Sequence, residues 1–507
     1  MPSRIFSTAT VGLEGVSVEV EVDVLAQGLH HFTLVGLPDA SVKESRDRVS
    51  SAIKNSGFRP PHHSGRITVN LAPADLPKNS PIYDIPMALG FLLATEQVHF
   101  DPQGKLFLGE LALDGKVRRV NGILSAAFFA KESGREEIYV PKENADEAAL
   151  IPGVRVYAVS DLFSLVKHLA GIETMEAWEP RADEAHANED YHFDMAEIRG
   201  QEHAKRALEI AAAGGHNSLL VGPPGSGKTL LARALPSILP ALSFEESLEV
   251  TKIFSVAGKL PRDKALVRAR PFRSPHHSAS SISLVGGGSI PKPGEVSLAH
   301  RGVLFLDEFA EFPKSVLESL RQPLEDGYVT VSRIKGSSSF PARFALVAAM
   351  NPCPCGYAGD PERMCSCPPF QALRYRERVS GPMLDRIDLQ IEVPRIKIEK
   401  LEESAVGESS ADIRIRVERA RLIQSGRFSG TGILTNSEMG PDMIRKYCPL
   451  DEASKELLRG AVSRLKLSAR SYHRILKVSR TIADLAGDSD IKTAHVAEAL
   501  QYRFKSE

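Results

Sequence analysis

The chain has 507 residues, 42% of them hydrophobic and 25% charged, and its formal net charge at pH 7 is −1. This length predicts about three domains, and the balanced charge excludes a globally basic nucleic-acid-binding protein while leaving local basic patches open. No apolar run is long enough to cross a bilayer and the first residues lack the apolar core of a signal peptide, so we expect a cytoplasmic protein without a membrane partner.

Residues 1–170 carry the pattern of an α+β module. Residues 15–24, which read GVSVEVEVDV, alternate between apolar and polar side chains and predict a half-buried strand. The turn signal Asp114-Gly115 predicts a hairpin between residues 105–113 and 116–120. The same patterning predicts strands at 31–37, 66–71, 137–140 and 154–159, and helices at 41–55 and 85–94.

Residues 171–195 are predicted to be a linker, because they are acidic, contain a proline and lack apolar periodicity. A helix is expected at 201–213, with Asp194 or a neighbour as its N-terminal cap.

A glycine-rich turn follows the apolar run 219–221 and precedes a helical pattern. Strand, turn and helix in this order are the context of a phosphate-binding loop, in which backbone N–H groups and the positive end of a helix face the phosphates. Lys228 would contact the β- and γ-phosphates of a nucleoside triphosphate, and Thr229 would hold Mg²⁺. The residues assigned to this loop are Gly222, Pro223, Pro224, Gly225, Ser226, Gly227, Lys228 and Thr229.

Two further apolar runs predict buried strands that end in polar residues. Residues 303–306 are followed by Asp307, which would contact Mg²⁺, and by Glu308, which would activate the attacking water. Residues 344–350 are followed by Asn351. Ligands of open α/β sheets bind at the carboxyl ends of parallel strands, so we expect Asn351 beside the γ-phosphate.

Two segments of the predicted ATPase carry basic residues. Residues 326–336 predict a β-hairpin with Arg333 and Lys335 near its tip, and basic loops of this kind hold a phosphate backbone without sequence preference. In the chelatase and MCM branch of ATPases that this chain resembles, insertions at such positions face a central pore, and this resemblance makes the two residues the candidates for DNA binding. His276 and His277 lie in a glycine- and proline-rich segment at 262–300, where a structural or pore role is favoured over metal binding.

Four of the five cysteines form two C-x-C pairs separated by nine residues. Cys353, Cys355, Cys365 and Cys367 would place four thiolates around one structural Zn²⁺. Reduced free thiols and a disulfide are the alternatives that this spacing leaves open.

Several stretches together resemble the ComM/YifB family of magnesium-chelatase-like AAA+ ATPases: GQEHAKRALEIAAAGGHN, PFRSPHHS, GVLFLDE, NPCPCG and GPMLDRIDLQIEV. The resemblance covers nearly the whole chain. It implies an α/β fold with an AAA+ P-loop core at 196–395, a C-terminal helical lid at 396–507, and an N-terminal α+β domain at 1–170 similar to the Lon protease catalytic domain.

The N-terminal domain is expected to lack protease activity. In Lon-like proteases a serine nucleophile follows a proline shortly after a lysine-containing turn, whereas here Pro81 is followed by Ile82. A hydroxyl without a base is not a nucleophile, so Ser80 does not replace that serine. Lys78 and Asp84 are expected to be solvated loop charges.

The resemblance also implies roles for residues outside the phosphate loop. Asn351 becomes the first sensor, Arg386 an arginine finger that completes the site of a neighbouring subunit, and Arg470 the second sensor on the lid. An internal ion pair of Arg386 with Asp385 or Asp388 is the alternative for the finger, and Arg474 is the less favoured alternative for the second sensor. The candidates for contact with the adenine are Ile198 and Gln201.

The function implied by the resemblance is a hexameric ATP-driven motor that promotes branch migration of DNA junctions in natural transformation and recombination. Its cofactors would be ATP, Mg²⁺ and a structural Zn²⁺. The alternative is a chelatase-like or protein-remodelling AAA+ ATPase that does not translocate DNA.

Overall fold

The computed structural model describes residues 2–25, 28–78, 80–179, 193–288, 291–333, 336–396, 407–465 and 468–503. Within these ranges, no helix combines the length and apolar character needed to span a membrane. One hydrophobic core fills the N-terminal module, and two more lie on the opposite faces of the central sheet.

The first sheet of the N-terminal module has the strand order β1-β2-β4-β3. Its strands are β1 (Ser3–Val11), β2 (Glu14–Val24), β3 (His31–Val35) and β4 (Arg66–Ala72). β1, β2 and β4 pair antiparallel, and β3 joins β4 in parallel. The predicted alternation in β2 is confirmed, because Val18, Val20 and Val22 are fully buried.

The helix predicted at 41–55 is interrupted. The structure has α1 (Ala40–Lys43) and α2 (Ser45–Asn55) instead of one continuous helix. The helices that follow in the module are α3 (Asp84–Ala94), α4 (Ile123–Glu132), α5 (Ala145–Ala148) and α6 (Leu162–Leu169).

The hairpin predicted around Asp114-Gly115 is much shorter than expected. Only β6 (Glu110–Leu111) and β7 (Val117–Arg118) pair across this turn. β5 (Lys105–Phe107) pairs instead in parallel with β8 (Glu137–Pro141), which continues to β9 (Arg155–Val159). A local turn signal does not encode a pairing between strands that are separated by a helix.

The expectation that Lys78 and Asp84 are solvated is wrong, because both side chains are buried. The Asp84 carboxylate forms an ion pair with Arg48 at 2.8 Å and accepts a hydrogen bond from the Leu111 amide at 3.1 Å. The Lys78 ammonium donates to the Pro73 carbonyl, and burial lowers the pKa of Lys78. Buried charges are tolerated where partners of this kind replace water.

The second module is built on a five-stranded sheet with the order β11-β14-β17-β10-β18. These strands are β10 (Ser218–Val221), β11 (Phe272–Arg273), β14 (Val303–Leu306), β17 (Ala345–Met350) and β18 (Leu389–Glu392). Every neighbouring pair is parallel, so the carboxyl ends of all five strands lie at one edge. Because helices and loops cover both faces, the strands are almost continuously apolar.

Shorter elements connect the strands of this sheet. Two hairpins are present, β12 (Gly286–Gly287) with β13 (Lys292–Pro293), and β15 (Tyr328–Arg333) with β16 (Gly336–Pro341). The helices are α7 (Glu202–Gly214), α8 (Lys228–Ile238), α9 (Phe244–Ala257), α10 (Ser281–Val285), α11 (Glu295–Leu298), α12 (Lys314–Ser319), α13 (Arg321–Asp326), α14 (Pro369–Arg376) and α15 (Gly381–Leu384).

The predicted cap of α7 is wrong. The Asp194 carboxylate accepts from the Ala196 amide and begins a 3-10 turn at Met195–Glu197, upstream of the helix. Gln201 occupies the N-cap position of α7 without a side-chain hydrogen bond to the helix end. Residues 180–192 of the predicted linker lie outside the described residues.

The C-terminal region is helical, as predicted. Its helices are α16 (Ser410–Arg427), α17 (Pro441–Tyr447), α18 (Glu452–Leu465), α19 (Ala469–Ala486) and α20 (Thr493–Gln501). A buried polar cluster joins them around Asp484 of α19. Its carboxylate accepts from Arg427 at 2.5 Å, from Asn436 at 2.8 Å and from Arg480 at 3.0 Å.

The N-terminal module contacts the ATPase module through α4 and α9. The Ser255 hydroxyl accepts a hydrogen bond from the Gly122 amide at 3.0 Å and donates to the Glu147 carboxylate at 2.5 Å. Arg119 donates to the Leu260 carbonyl at 3.2 Å. Ser255 and Glu147 are both buried, so solvent is excluded from this part of the junction between the two modules.

Candidate nucleotide-binding site

The phosphate-binding loop lies between β10 and α8. Gly225 and Gly227 have φ angles of +76° and +91°, which side-chain-bearing residues rarely adopt. A Cβ at Gly222 would collide with the Val393 carbonyl, so only glycine lets the loop leave the sheet at this point. The Ser226 hydroxyl is buried and has no hydrogen-bond partner within the described ranges.

Lys228 closes the loop on itself. Its ammonium donates to the Gly222 carbonyl at 2.7 Å, to the Pro223 carbonyl at 2.8 Å and to Asn351 Oδ1 at 3.3 Å. Burial lowers the pKa of Lys228 to about 8. The structure therefore places the predicted sensor Asn351 directly against the phosphate-binding lysine, across neighbouring strands.

Thr229 and Asp307, the two predicted magnesium ligands, contact each other. The Thr229 hydroxyl donates to Asp307 Oδ2 at 2.9 Å, which joins the start of α8 to the end of β14. A hydroxyl and a carboxylate oxygen at this distance match the all-oxygen coordination that Mg²⁺ prefers. The residues present therefore fit the ion that the sequence predicts.

The Glu308 carboxylate contacts a histidine side chain that no sequence motif places beside it. The carboxylate lies 2.9 Å from His277 Nδ1, and the Glu308 backbone is left-handed with φ of +51°. The His277 ring also contacts the His276 ring, with 4.0 Å between the ring centroids and 35° between the ring planes. The sequence drew attention to the two histidines but gave no signal for this contact, because 31 residues separate His277 from Glu308.

The two adenine candidates have different environments. Gln201, with φ of +61°, donates to the Ser226 carbonyl at 3.2 Å and to the Pro394 carbonyl at 2.6 Å, so it bridges the phosphate loop and the end of β18. Ile198 is 2% exposed and packs into the core between the sheet and the lid. Gln201 therefore contacts the phosphate loop, while Ile198 is part of the hydrophobic core.

Arg386 and Arg470 share one acidic partner, Glu325 of α13. The guanidinium of Arg386 is 2% exposed and forms an ion pair with Glu325, and Arg470 lies 3.7 Å from the same carboxylate. Neither Asp385 nor Asp388 is the ion-pair partner of Arg386 in the contacts of the described residues. Asp388 pairs instead with Arg474, the alternative second sensor. No motif or spacing indicates Glu325 as a partner, because it precedes Arg386 by 61 residues.

The four clustered cysteines converge in space. Their sulfur atoms all lie within 4.8 Å of one another, with 3.4 Å between Cys353 and Cys355 and 3.6 Å between Cys353 and Cys365. Tetrahedral coordination with Zn–S bonds of about 2.3 Å requires sulfur separations of about 3.8 Å. The amides of Cys355 and Ala358 point at Cys367 and Cys353 Sγ, as expected for stabilised thiolates. We call residues 353–367 the cysteine knuckle.

The two DNA-binding candidates fall at the end of the β15–β16 hairpin. β15 ends at Arg333, whose backbone is described, and Lys335 lies outside the described residues. The predicted hairpin itself is confirmed, with Tyr328 opposite Pro341 and Arg333 opposite Gly336.

A parallel sheet with a phosphate loop, an acidic strand end and a polar strand end at one edge defines a P-loop ATPase module of the AAA+ class. Three family models match the chain: "Subunit ChlI of Mg-chelatase" at 19–144, "Magnesium chelatase, subunit ChlI" at 194–401, and "Magnesium chelatase, subunit ChlI C-terminal" at 407–503.

Comparison with individual proteins assigns the chain to a family within this class. The chain is 46% identical to Competence protein ComM of Haemophilus influenzae, over 98% of this chain and 97% of that protein. It is 45% identical to the protein YifB of Escherichia coli, over 99% and 97%. A mitochondrial Lon protease homolog of Saccharomyces cerevisiae is 30% identical over 30% of this chain and 14% of its own length. The chain belongs to the ComM/YifB family, and its N-terminal module is Lon-like.

Proposed function

We propose that the protein is an ATP-driven motor that acts on DNA and promotes branch migration in natural transformation and homologous recombination. The observation that carries this proposal is an ATPase site of AAA+ geometry in a chain 46% identical, over nearly its full length, to a protein named for competence. ATP and DNA are both present in the cytoplasm, where we expect the protein to act.

In this proposal, each residue of the nucleotide site has a separate role in ATP hydrolysis. The phosphate loop and Lys228 hold the β- and γ-phosphates, and Asn351 fixes the lysine ammonium from the side. Thr229 and Asp307 would hold Mg²⁺, which would supply positive charge next to the phosphates. Glu308 orients the attacking water, and His277 fixes the position of the Glu308 carboxylate.

Assembly into a ring, which we propose to be hexameric, would bring Arg386 to a neighbour's nucleotide. A guanidinium is the group suited to stabilise charge on a transferring phosphoryl group. In the single chain Glu325 holds Arg386, and Arg470 lies beside the same carboxylate. We propose that nucleotide binding and ring contacts release these two arginines from Glu325.

The β15–β16 hairpin is the proposed contact with DNA. Arg333 and Lys335 would face the phosphate backbone and bind it without reading its sequence. We further propose that the cysteine knuckle holds a structural Zn²⁺ through four thiolates, as the convergence of its sulfur atoms supports.

A second candidate function is a chelatase-like or protein-remodelling ATPase that does not move along DNA. It is favoured by the family models, whose descriptions all refer to a magnesium chelatase subunit. The two functions share the ATPase site and differ in what stimulates it.

The deciding experiment measures ATP hydrolysis by the purified protein with and without single-stranded and forked DNA. Lys228→Ala, which removes the phosphate-binding ammonium, and Glu308→Gln, which cannot accept a proton from water, are the two inactive controls. We expect DNA to stimulate hydrolysis and both variants to abolish it. An active enzyme whose rate is the same with and without DNA would contradict a DNA motor and favour the second function.

Variants at the hairpin test the proposed DNA contact separately. Arg333→Ala and Lys335→Ala should reduce DNA stimulation while nucleotide binding stays at the level of the unmodified protein. Arg333→Lys keeps the charge and is the matched control. Full stimulation in both alanine variants would assign DNA binding to another surface.

A further inference from the structure

The cysteine knuckle lies directly against the nucleotide site. It begins two residues after Asn351, so the proposed metal ligand Cys353 and the side chain that contacts Lys228 share one short piece of backbone. Within the knuckle, Gly356 packs on Pro224 of the phosphate loop. A Cβ added at Gly356 would lie 2.6 Å from Pro224 Cδ and 3.9 Å from Asn351 Cγ.

The other end of the knuckle is tied to the sheet. Arg395, which follows β18, forms ion pairs with Asp360 at 3.3 Å and Glu362 at 3.5 Å. The preceding residue, Pro394, accepts the hydrogen bond from Gln201 that also links this strand end to the phosphate loop. The knuckle is therefore clamped between the phosphate loop on one side and the end of β18 on the other.

Four converging thiols form the centre of this clamp. Residues 353–368 contain no helix or strand in the structure. A segment without a hydrogen-bonded ladder or an apolar core depends on cross-links for its shape, and a tetrathiolate metal ion is such a cross-link. Four thiolates within 4.8 Å of one another repel, and a bound cation would offset that repulsion.

We propose that metal bound at the cysteine knuckle sets ATP affinity by pressing Gly356 against Pro224 and fixing Asn351 beside Lys228. Metal binding at the cysteine knuckle is then needed for tight binding of ATP by the phosphate loop, in addition to the stability of the knuckle itself. This inference rests on the proposed ATP and zinc sites, and it adds the direction of coupling between them.

The test compares two glycine substitutions in the same loop. Gly356→Ala and Gly359→Ala both place a Cβ on a left-handed backbone, with φ of +86° and +79°. At Gly356 the Cβ meets Pro224, whereas at Gly359 nothing lies within 4 Å. Zinc per chain is measured by elemental analysis, and equilibrium binding of a fluorescent ATP analogue with Mg²⁺ is measured on the same samples.

We expect one zinc per chain in the unmodified protein and in both glycine variants. Gly356→Ala should bind the ATP analogue about tenfold more weakly, which corresponds to about 1.4 kcal/mol, while Gly359→Ala binds as the unmodified protein does. A Gly356→Ala variant that keeps zinc and full ATP affinity would overturn the coupling, as would equal weakening in both variants.

Removal of the metal gives the second arm. Cys353→Ser combined with Cys365→Ser should lose zinc and weaken ATP binding by a similar factor, whereas Cys448→Ser, outside the knuckle, should change neither. Full ATP affinity in a zinc-free double variant overturns the inference, and so does the absence of zinc from the unmodified protein. Failure of the unmodified, zinc-loaded protein to bind ATP would instead overturn the proposed ATPase function, so the two failures are distinguishable.

Discussion

The Lys228 ammonium donates to two backbone carbonyls of the phosphate loop and to Asn351 Oδ1. Burial lowers its pKa to about 8, whereas a bound triphosphate favours the charged ammonium and raises the pKa in the complex. Binding above that pH therefore requires uptake of a proton. We expect ATP affinity to be full below about pH 8 and to fall above it, by at most about tenfold per pH unit.

The measurement is equilibrium binding of a fluorescent ATP analogue, with Mg²⁺, from about pH 7 to about pH 9.5. Lys228→Arg is the control, because a guanidinium does not lose its proton in this range. Whatever affinity that variant retains should not depend on pH. A flat profile for the unmodified protein would show that Lys228 stays charged throughout.

His277 is expected to act through Glu308. His277→Ala should lower kcat, by up to about 100-fold, since misplacement of a reacting group by about 1 Å has effects of this size. ATP binding should be unaffected, because His277 contacts neither Lys228 nor Thr229 in the hydrogen bonds of the described chain. His276→Ala, which removes the neighbouring ring, is the matched control in steady-state ATPase assays. Equal losses in the two variants would indicate a loop effect instead.

At the residue scale, the sequence predicts which motif residues lie close together, but it does not indicate the side chains that contact Glu308 and Arg386. Lys228 and Thr229 follow from the glycine-rich loop motif, and Asp307 and Asn351 follow from strand-end positions in a parallel sheet, a geometry that is regular enough to infer. The contact of His277 with Glu308 depends on the path of an irregular loop, which no residue spacing specifies.

Among the elements, the lid helix α19 carries a buried cluster of charged side chains. Asp484 is fully buried between Arg427 and Arg480, and Asn436 completes its shell. Asp484→Asn would leave two guanidinium groups without a counter-charge, and loss of one member of a buried ion pair costs about 3–5 kcal/mol. We expect a marked fall in Tm, measured by thermal unfolding, while exposed Asp490→Asn leaves it unchanged. A Tm within a degree or two of the unmodified protein would show that water reaches the cluster.

Element types were more predictable than element partners. β2 and the helices of the lid follow from periods of two and 3.6 residues, which are properties of local sequence. Tertiary packing determines the parallel pairing of β5 with β8 and the break between α1 and α2. The local patterns at 105–120 and 41–55 therefore predicted a hairpin and a helix that are longer than those in the structure.

For the whole molecule, the buried Ser255 hydroxyl is one of the contacts that join the two modules. Ser255→Ala would leave the buried Glu147 carboxylate and the Gly122 amide each short of a partner, and an unsatisfied buried group costs about 1–3 kcal/mol. We expect faster limited proteolysis between the modules and a lower Tm. Ser133→Ala, at an exposed position of the N-terminal module, is the control. An unchanged digestion pattern would mean that other contacts hold the junction.

The hairpin β15–β16 leaves and re-enters the ATPase module at one place, because its first and last residues, Tyr328 and Pro341, lie opposite each other. The distance that the chain must bridge is therefore the same whether the insert is long, short or absent. Closing a loop of twice the length costs only about 0.6 kcal/mol more. Evolution, or a protein engineer, can therefore exchange this insert as a unit and change the surface that the hairpin presents, while the register of the five-stranded sheet and the chemistry at its edge stay as they are.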